Sequence, residues 1–180
     1  MKYSGTPLSG AVLIELERRE DARGWFARTF CAREFAEQGL PTAMVQANLS
    51  HTRRAGTLRG LHWQAPPHAE DKLVQCVHGA IWDCIVDLRP QSPTYRRWFG
   101  AELSAANGRM LLVPKGFAHG FVTLTPDACV SYQMSASYEP AAARGARWDD
   151  PAFGIEWPVP VLDMSDKDRH WPPFAKQEAA

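Results

Sequence analysis

Three short motifs place histidine and tyrosine among apolar, strand-like residues. The motif "RGLHWQ" contains His62, "PKGFAHGF" contains His119, and "VSYQMSASY" contains Tyr132 and Tyr138. Histidine titrates near neutral pH and often moves protons, and a tyrosine can return a proton from the opposite side of a substrate. Together these residue types predict a pocket for acid–base chemistry.

A lysine and several arginines extend this prediction. An imidazole removes a carbon-bound proton only if the resulting anion is stabilised, for example by a fixed donor facing an enolate oxygen. Lys72 begins the next predicted strand after His62 and could supply that charge. Arginines near the mouth of the pocket, such as Arg59, could hold a phosphate group through bidentate hydrogen bonds. The pattern favours carbon-acid chemistry on a phosphate-bearing substrate.

The same histidines raise a second possibility, a metal site. The glycine spacing ahead of His62 and His119 is similar to the paired signatures of cupin jelly rolls, whose metal-binding members carry His-x-His followed by Glu. Here Gln64 stands in the place of that acid, and glutamine is a weak ligand for first-row metals. We therefore expect a cavity without metal, and a site formed by His62, Glu70 and His119 is the alternative.

The elements around these motifs have mostly the period-two pattern of strands. Short apolar runs recur along the chain, separated by Gly, Pro, Asn and Asp. In "KLVQCVHGAIWDCIVDL", Gly79 separates two such runs, which predicts a hairpin with Asp83 and Asp87 on the face opposite Trp82. A short helix is predicted from Ala32.

The end of the chain is rich in Pro and Trp, and we expect it to pack as turns and short helices over the strands. A closed sandwich leaves few exposed edges for so many short strands. We therefore predict an all-β, cupin-type jelly-roll sandwich or barrel with a few short helices at its C-terminal end, forming a single domain over residues 1–180.

Composition excludes several classes of function. Basic and acidic residues are equal in number, 20 of each, and interspersed, so neither nucleic acid nor an anionic membrane is an expected partner. The first apolar run is broken by Glu15 and Glu17, which argues against a signal peptide or a membrane span. Four cysteines without a CxxC pair are typical of reduced core residues. These features predict a cytoplasmic protein.

The ordered motifs closely resemble the dTDP-4-dehydrorhamnose 3,5-epimerase family of nucleotide-sugar epimerases, from about Gly10 to Pro173. The motifs are "RGLHWQ", "KLVQCVHGAIWDCIVDLRPQSPTY", "PKGFAHGF", "SYQMSASY", "RWDDPAFGIEWP" and "SDKD". The resemblance implies a homodimeric jelly roll without metal or nucleotide cofactor. It implies a nucleoside-diphosphate 4-keto-6-deoxyhexose as substrate.

The resemblance also implies roles for five residues near the sugar. His62 matches the base that removes the proton alpha to the C4 ketone, and Tyr132 matches the acid that reprotonates the other face. Asp168 matches the carboxylate that orients the base. Lys72 matches the group that stabilises the enolate oxygen, and His119 lines the sugar pocket.

Five further residues match positions that bind the rest of the substrate. Arg23, Gln46, Asn48 and Arg59 correspond to nucleotide and diphosphate contacts. Tyr138 corresponds to an aromatic neighbour of the base.

Gly60 and two departures from the family pattern also bear on the predicted site. Gly60 is expected to permit a bulge that brings Arg59 and His62 to one cleft, since strict alternation would place them on opposite faces. Arg28 and Ala143 stand where the family often has glutamates near the nucleotide, so the identity of the nucleotide stays open. The alternatives are a C3-only epimerase acting on another nucleotide-linked sugar, a metal-dependent cupin enzyme, and a sugar-binding module without catalysis.

Overall fold

The computed structural model describes residues 1–174, in which β-strands predominate. Its two α-helices are α1 (Ala32–Glu37) and α2 (Asp166–Arg169), and a 3-10 turn covers Pro140–Ala142. The strands are β1 (Lys2–Gly5), β2 (Val12–Glu15), β3 (Arg19–Asp21), β4 (Gly24–Phe26), β5 (Gln46–Thr52), β6 (Leu58–Gln64), β7 (Lys72–His78), β8 (Ala80–Asp87), β9 (Trp98–Ser104), β10 (Arg109–Val113), β11 (Phe117–Thr123), β12 (Ala128–Met134) and β13 (Ala143–Gly145).

Two antiparallel sheets contain most of these strands. The six-stranded sheet has the order β1-β2-β10-β7-β12-β5, and the five-stranded sheet has the order β13-β6-β11-β8-β9. Within residues 1–174, strands β3 and β4 pair only with each other and form a separate hairpin. The two packed sheets confirm the predicted all-β jelly-roll sandwich.

The main core lies between the sheets. Val74 and Val130 of the six-stranded sheet pack in one buried cluster with Ile85, Leu103 and Phe121 of the five-stranded sheet. Period-two alternation places these side chains on the inner faces of their strands. Burial of this apolar surface is the main contribution that holds the two sheets together.

Each sheet also carries an apolar cluster on its outer face. The helix α1 places Phe35 on Ile14 and Met110 of the six-stranded sheet, and Gly39, with φ of +68°, follows the helix as predicted. On the five-stranded sheet, an apolar cluster joins Val86 to residues of the C-terminal segment. The prediction that this segment packs over the strands is confirmed for the residues that the structure describes.

The predicted hairpin at Gly79 is wrong. Strand β7 pairs with β10 and β12, whereas β8 pairs with β9 and β11, so Gly79 carries the chain from one sheet to the other. Its φ of +72° permits the tight turn. Asp83 and Asp87 are also fully buried, on the same side of β8 as Ile81 and Ile85. Both faces of β8 are buried, so hydrophobicity alone did not identify the inner face.

The predicted bulge at Gly60 is confirmed. His62 lies opposite His119 and Arg59 lies opposite Phe121, so β6 advances three residues while β11 advances two. A Cβ atom at Gly60 would lie 2.5 Å from the Cα atom of Gly120, and the φ of Gly60 is +127°. Only glycine fits this close approach of two backbones.

Gly60→Ala is expected to lower the free energy of unfolding by about 1 to 3 kcal/mol more than Gly24→Ala, because the added methyl group is forced against β11. Gly24 is a matched control because it has the same φ of +127° and no atom within 4 Å of a Cβ. Urea unfolding of both variants measures the difference. Equal losses would contradict the steric explanation.

Candidate active site

A groove lies between the two sheets and consists of two adjoining cavities. The first, of about 510 Å³, is the His119 cavity and is also lined by Arg59. The second, of about 520 Å³, is the Tyr138 cavity and is also lined by Gln46 and Asn48. The residues that line both cavities are His62, Lys72, Tyr132 and Lys167. The proposed base, acid and lysine therefore lie where the two halves of the groove meet.

Strand register explains why these side chains share one groove. His62 on β6 lies directly opposite His119 on β11, and residues opposite each other in an antiparallel pair point to the same face. Tyr132 on β12 lies opposite Asn48 on β5, and Lys72 on β7 lies opposite Met134 on β12. Neighbouring strands thus bring together residues that are far apart in sequence.

His62 and Asp168 form a hydrogen-bonded pair, with 2.5 Å between Nε2 and Oδ1. The helix α2 positions Asp168, and the Ser165 hydroxyl caps this helix by accepting a hydrogen bond from the Asp168 backbone N–H. The Asp168 side chain is only 5% exposed. Its contact with His62 fixes the orientation of the imidazole, as expected of a carboxylate that supports a base.

The charged form of Asp168 is favoured in the folded protein. Burial acts to raise the pKa of this carboxyl, but hydrogen bonds from His62 and from the Gly60 backbone N–H, together with attraction to His62, outweigh burial. The pKa of Asp168 is therefore below its ordinary value, and at neutral pH the group is a carboxylate.

His119 has a carboxylate partner of its own. Its Nε2 lies 2.8 Å from Oδ1 of Asp83, which is fully buried on the neighbouring strand β8. The imidazole is thereby held at the wall of the His119 cavity. This supports the predicted position of His119 in the pocket.

The Lys72 ammonium and the Tyr132 hydroxyl face the shared part of the groove. Nζ of Lys72 lies 3.4 Å from the backbone oxygen of His62 and 3.1 Å from Oε1 of Glu70. Within residues 1–174 the Tyr132 hydroxyl makes no hydrogen bond to protein, although its ring packs against the main core. The phenol is thus held by its ring and keeps its O–H for a ligand.

The predicted nucleotide contacts divide between the two cavities. In the Tyr138 cavity, Oε1 of Gln46 accepts a hydrogen bond from the Tyr138 backbone N–H, and its Nε2 donates to Asn48 at 3.4 Å. In the His119 cavity, Arg59 donates from Nε to the Thr52 hydroxyl and from Nη2 to a backbone oxygen. The guanidinium is therefore fixed at two of its nitrogens, while Nη1 has no hydrogen-bond partner among residues 1–174.

Arg23 is the one predicted site residue that the structure does not bring to the groove. It lies in the turn between β3 and β4, is 89% exposed and pairs with Asp21. Arg28 also lies outside the groove and pairs with Glu34 at 2.5 Å. Ala143, in contrast, lines the Tyr138 cavity. Of the two replaced glutamate positions, only Ala143 changes this chain's own groove.

The alternative metal site is not assembled. His62, Glu70 and His119 are engaged with Asp168, Lys72 and Asp83, respectively. Over residues 1–174, no three His, Cys, Asp or Glu side chains form a group suited to a metal ion.

In the same range, no helix is long and apolar enough to cross a membrane.

Sequence reasoning missed two residues of the site. Lys167 lines both cavities, and the signal was its place inside the "SDKD" motif directly before Asp168. Asp83 was placed on the face opposite Trp82, but its burial and its contact with His119 were not predicted. Its partner became evident only when the register of β8 and β11 was known.

The sandwich is a jelly roll of the cupin type, and its groove carries the side chains of an acid–base enzyme. A model of the family described as dTDP-4-dehydrorhamnose 3,5-epimerase matches residues 5–176. The chain is 43% identical to the dTDP-4-dehydrorhamnose 3,5-epimerase of Sinorhizobium fredii over 173 residues, covering 96% of this chain and 89% of the relative. The chain belongs to this family.

Solved structures agree with this assignment. The dTDP-4-dehydrorhamnose 3,5-epimerase of Bacillus anthracis, solved with TDP and PPi bound, aligns with a TM-score of 0.92 and 44% identity over 95% of this chain and 98% of that one. The 3,5-epimerase of Legionella pneumophila, solved with dTDP-4-keto-L-rhamnose, aligns with a TM-score of 0.88 and 35% identity over 93% and 89%.

Asp168→Asn is expected to lower the free energy of unfolding at neutral pH, because the folded protein favours the charged carboxylate. This loss of stability should have its full size at pH values above about 3.9, the pKa of an aspartate in the unfolded chain. It should shrink as the pH falls through the lower folded-state pKa, where wild type also loses the charge. Urea unfolding over a series of pH values measures this difference.

Asp127→Asn is the control for this experiment. Asp127 pairs with His51 at an exposed position, and its replacement should change stability by less than about 0.5 kcal/mol. A loss in Asp168→Asn that does not depend on pH would show that its cause is not the carboxylate charge.

Proposed function

We propose that the protein is an isomerase that inverts C3 and C5 of a dTDP-linked 4-keto-6-deoxyhexose, converting dTDP-4-dehydro-6-deoxyglucose to dTDP-4-dehydrorhamnose. The observation that carries the proposal is that the His62–Asp168 pair, Tyr132 and Lys72 meet at one point of the groove. The names of the relatives and the keto-sugar bound to the Legionella enzyme support the choice of substrate.

Each inversion requires one proton removal and one proton return. His62 takes the proton from the carbon alpha to the C4 ketone, and the electron pair of the broken C–H bond moves onto the ketone oxygen. Lys72 stabilises the enolate oxygen. Tyr132 then donates a proton to the opposite face of the carbon, and exchange with solvent restores both side chains. Because C3 and C5 both adjoin the ketone, one set of groups serves both centres.

The remainder of the substrate extends along the groove. Gln46, Asn48 and Tyr138 bind the nucleoside, Arg59 binds the diphosphate, and His119 lines the sugar pocket. Such contacts orient the sugar and lower the entropic cost of reaching the reactive geometry. Ala143 replaces a carboxylate with a methyl group at the nucleoside end, so the nucleotide preference of this chain has to be measured.

We also infer that no metal or cofactor takes part. The proton donor, the proton acceptor and the enolate-stabilising cation of the proposed reaction are all side chains of this chain. Elemental analysis of the purified protein tests this inference, and a stoichiometric transition metal required for turnover would overturn it.

Cytoplasmic location is part of the same proposal. The four cysteines are unpaired, and Cys76 and Cys84 are buried, which suits a reducing compartment.

Proton NMR in heavy water tests the reaction directly. The protein is incubated with dTDP-4-keto-6-deoxyglucose, and the C3 and C5 protons are followed separately. We expect deuterium at both carbons and a product of L configuration. Exchange at C3 alone would indicate a mono-epimerase, and no exchange with any nucleotide sugar would overturn the proposed function.

Two variants assign the roles within this experiment. His62→Ala should reduce exchange at both carbons by roughly 10² to 10⁴-fold, because the base is missing. In Tyr132→Phe the substrate should still lose its protons to His62, but little inverted product should form. Both variants should retain nucleotide affinity in calorimetry. His68→Ala is the control, since its side chain is exposed and lines neither cavity.

We further propose that the protein is a homodimer in which the β3–β4 hairpin of one subunit reaches the groove of the other. Arg23 resembles a nucleotide-binding residue, yet in its own chain it is exposed and outside the groove. Trp25 and Phe26 on the same hairpin are 52% and 67% exposed, and contact with a second copy would cover them. The guanidinium would then reach the substrate of the partner.

Mixing two defective variants tests this arrangement. If Arg23 acts on the partner's groove, a dimer of Arg23→Ala and His62→Ala contains one site with both groups intact. Random mixing should then restore about a quarter of wild-type activity at low substrate concentration, for a closed dimer with two equivalent sites. Activity equal to the sum of the separate variants would contradict the exchange of hairpins.

A further inference from the structure

Glu70 is a buried acid that the proposed proton transfers do not use. It lies just before β7, lines the Tyr138 cavity next to Lys72, and its side chain is only 5% exposed. One carboxylate oxygen, Oε1, pairs with Nζ of Lys72 at 3.1 Å. Within residues 1–174 the other, Oε2, is buried and accepts no hydrogen bond. A buried oxygen without a donor is costly unless a ligand supplies one.

Lys72, in turn, has an N–H donor that no acceptor among residues 1–174 uses. An ammonium group carries three N–H donors. One donates to the backbone oxygen of His62 at 3.4 Å, and the ammonium also forms an ion pair with Oε1 of Glu70 at 3.1 Å. Among the described residues at least one N–H of Lys72 thus has no acceptor, and it lies beside a Glu70 carboxylate oxygen that has no donor.

We propose that this pair recognises an α-hydroxyketone, with Lys72 donating to the ketone oxygen and Oε2 of Glu70 accepting from the hydroxyl on the adjacent carbon. This rests on the proposed function, in which C4 carries the ketone and C3 carries the hydroxyl. A carbonyl next to a hydroxyl offers the acceptor and the donor that the pair lacks. Glu70 is thus a substrate-binding residue and also positions the Lys72 ammonium.

The same contact makes the site selective for the substituent at C3. A sugar with hydrogen in place of the C3 hydroxyl would leave Oε2 unpaired in the bound complex. A site built to hydrogen-bond a group discriminates strongly against an analogue that lacks it. We expect 3-deoxy sugars to be poor substrates because of Glu70.

A cycle of two enzymes and two substrates measures this contact. Exchange at C5 is followed for dTDP-4-keto-6-deoxyglucose and for its 3-deoxy analogue, since C5 bears a proton in both. In wild type, loss of the hydroxyl should lower kcat/KM by about 10-fold or more, as for a hydrogen bond to a charged group. In Glu70→Ala, removing the hydroxyl should change kcat/KM by no more than about two-fold, because the acceptor is gone.

Two further variants separate this role from a structural one. Asp71→Asn removes an equally buried neighbouring acid that lines neither cavity, and it should keep the wild-type ratio between substrates. Glu70→Gln retains the shape of the side chain and one oxygen, and it should give an intermediate ratio. Because both substrates are compared on one preparation, the ratio does not depend on the fraction of folded protein.

The outcomes distinguish this inference from the proposed function. If wild type shows no exchange, the proposed function fails, and calorimetry with dTDP-6-deoxyglucose and its 3-deoxy analogue still tests Glu70. A larger loss of affinity for the 3-deoxy ligand in wild type than in Glu70→Ala supports the contact. Equal substrate ratios in wild type and Glu70→Ala, or a collapsed ratio in Asp71→Asn, would overturn it.

Discussion

The site depends on the close approach of β6 and β11 at Gly60. A side chain there would meet the backbone of Gly120, so the two strands approach only because both positions are glycine. The resulting bulge adds one residue to β6, which turns Arg59 and His62 toward the same groove. It also directs the Gly60 N–H toward Asp168, the partner of His62. One local departure from regular strand geometry thus brings Arg59 to the same groove as the His62–Asp168 pair.

The groove is organised as pairs of one acid with one basic group. Asp168 holds His62, Asp83 holds His119 and Glu70 holds Lys72, and in each pair the acid is the more deeply buried member. A buried charge without a partner costs several kcal/mol, so each pair compensates the burial of its carboxylate. The basic groups face the cavity already oriented. Little rearrangement is therefore needed when a substrate with developing negative charge enters.

Much of this arrangement was predictable because its residues lie in short ordered motifs. His62, Tyr132, Lys72 and His119 line the groove, and Gly60 forms the expected bulge. The errors concern sheet assignment: a turn at Gly79 reads the same in sequence whether it closes a hairpin or joins two sheets. The contact of Asp83 with His119 was missed because the pairing of β8 with β11 cannot be read from the sequence. Arg23 was assigned to the site by family resemblance alone, and in this chain the β3–β4 hairpin holds it away from the groove.

The C-terminal segment has a consequence for when the site comes into existence during synthesis. Several residues between Asp163 and Asp168 form one wall of the groove, and this wall is attached to the start of β6 by hydrogen bonds from Leu58 to Asp163 and from Leu162 to Gly56. These contacts join parts of the chain made early and late by the ribosome. The strands of both sheets have all been made once the chain reaches Gly145, whereas the carboxylate that pairs with His62 is still missing at that point. Assembly of the His62–Asp168 pair during synthesis therefore has to wait until residue 168 has been made, long after β6.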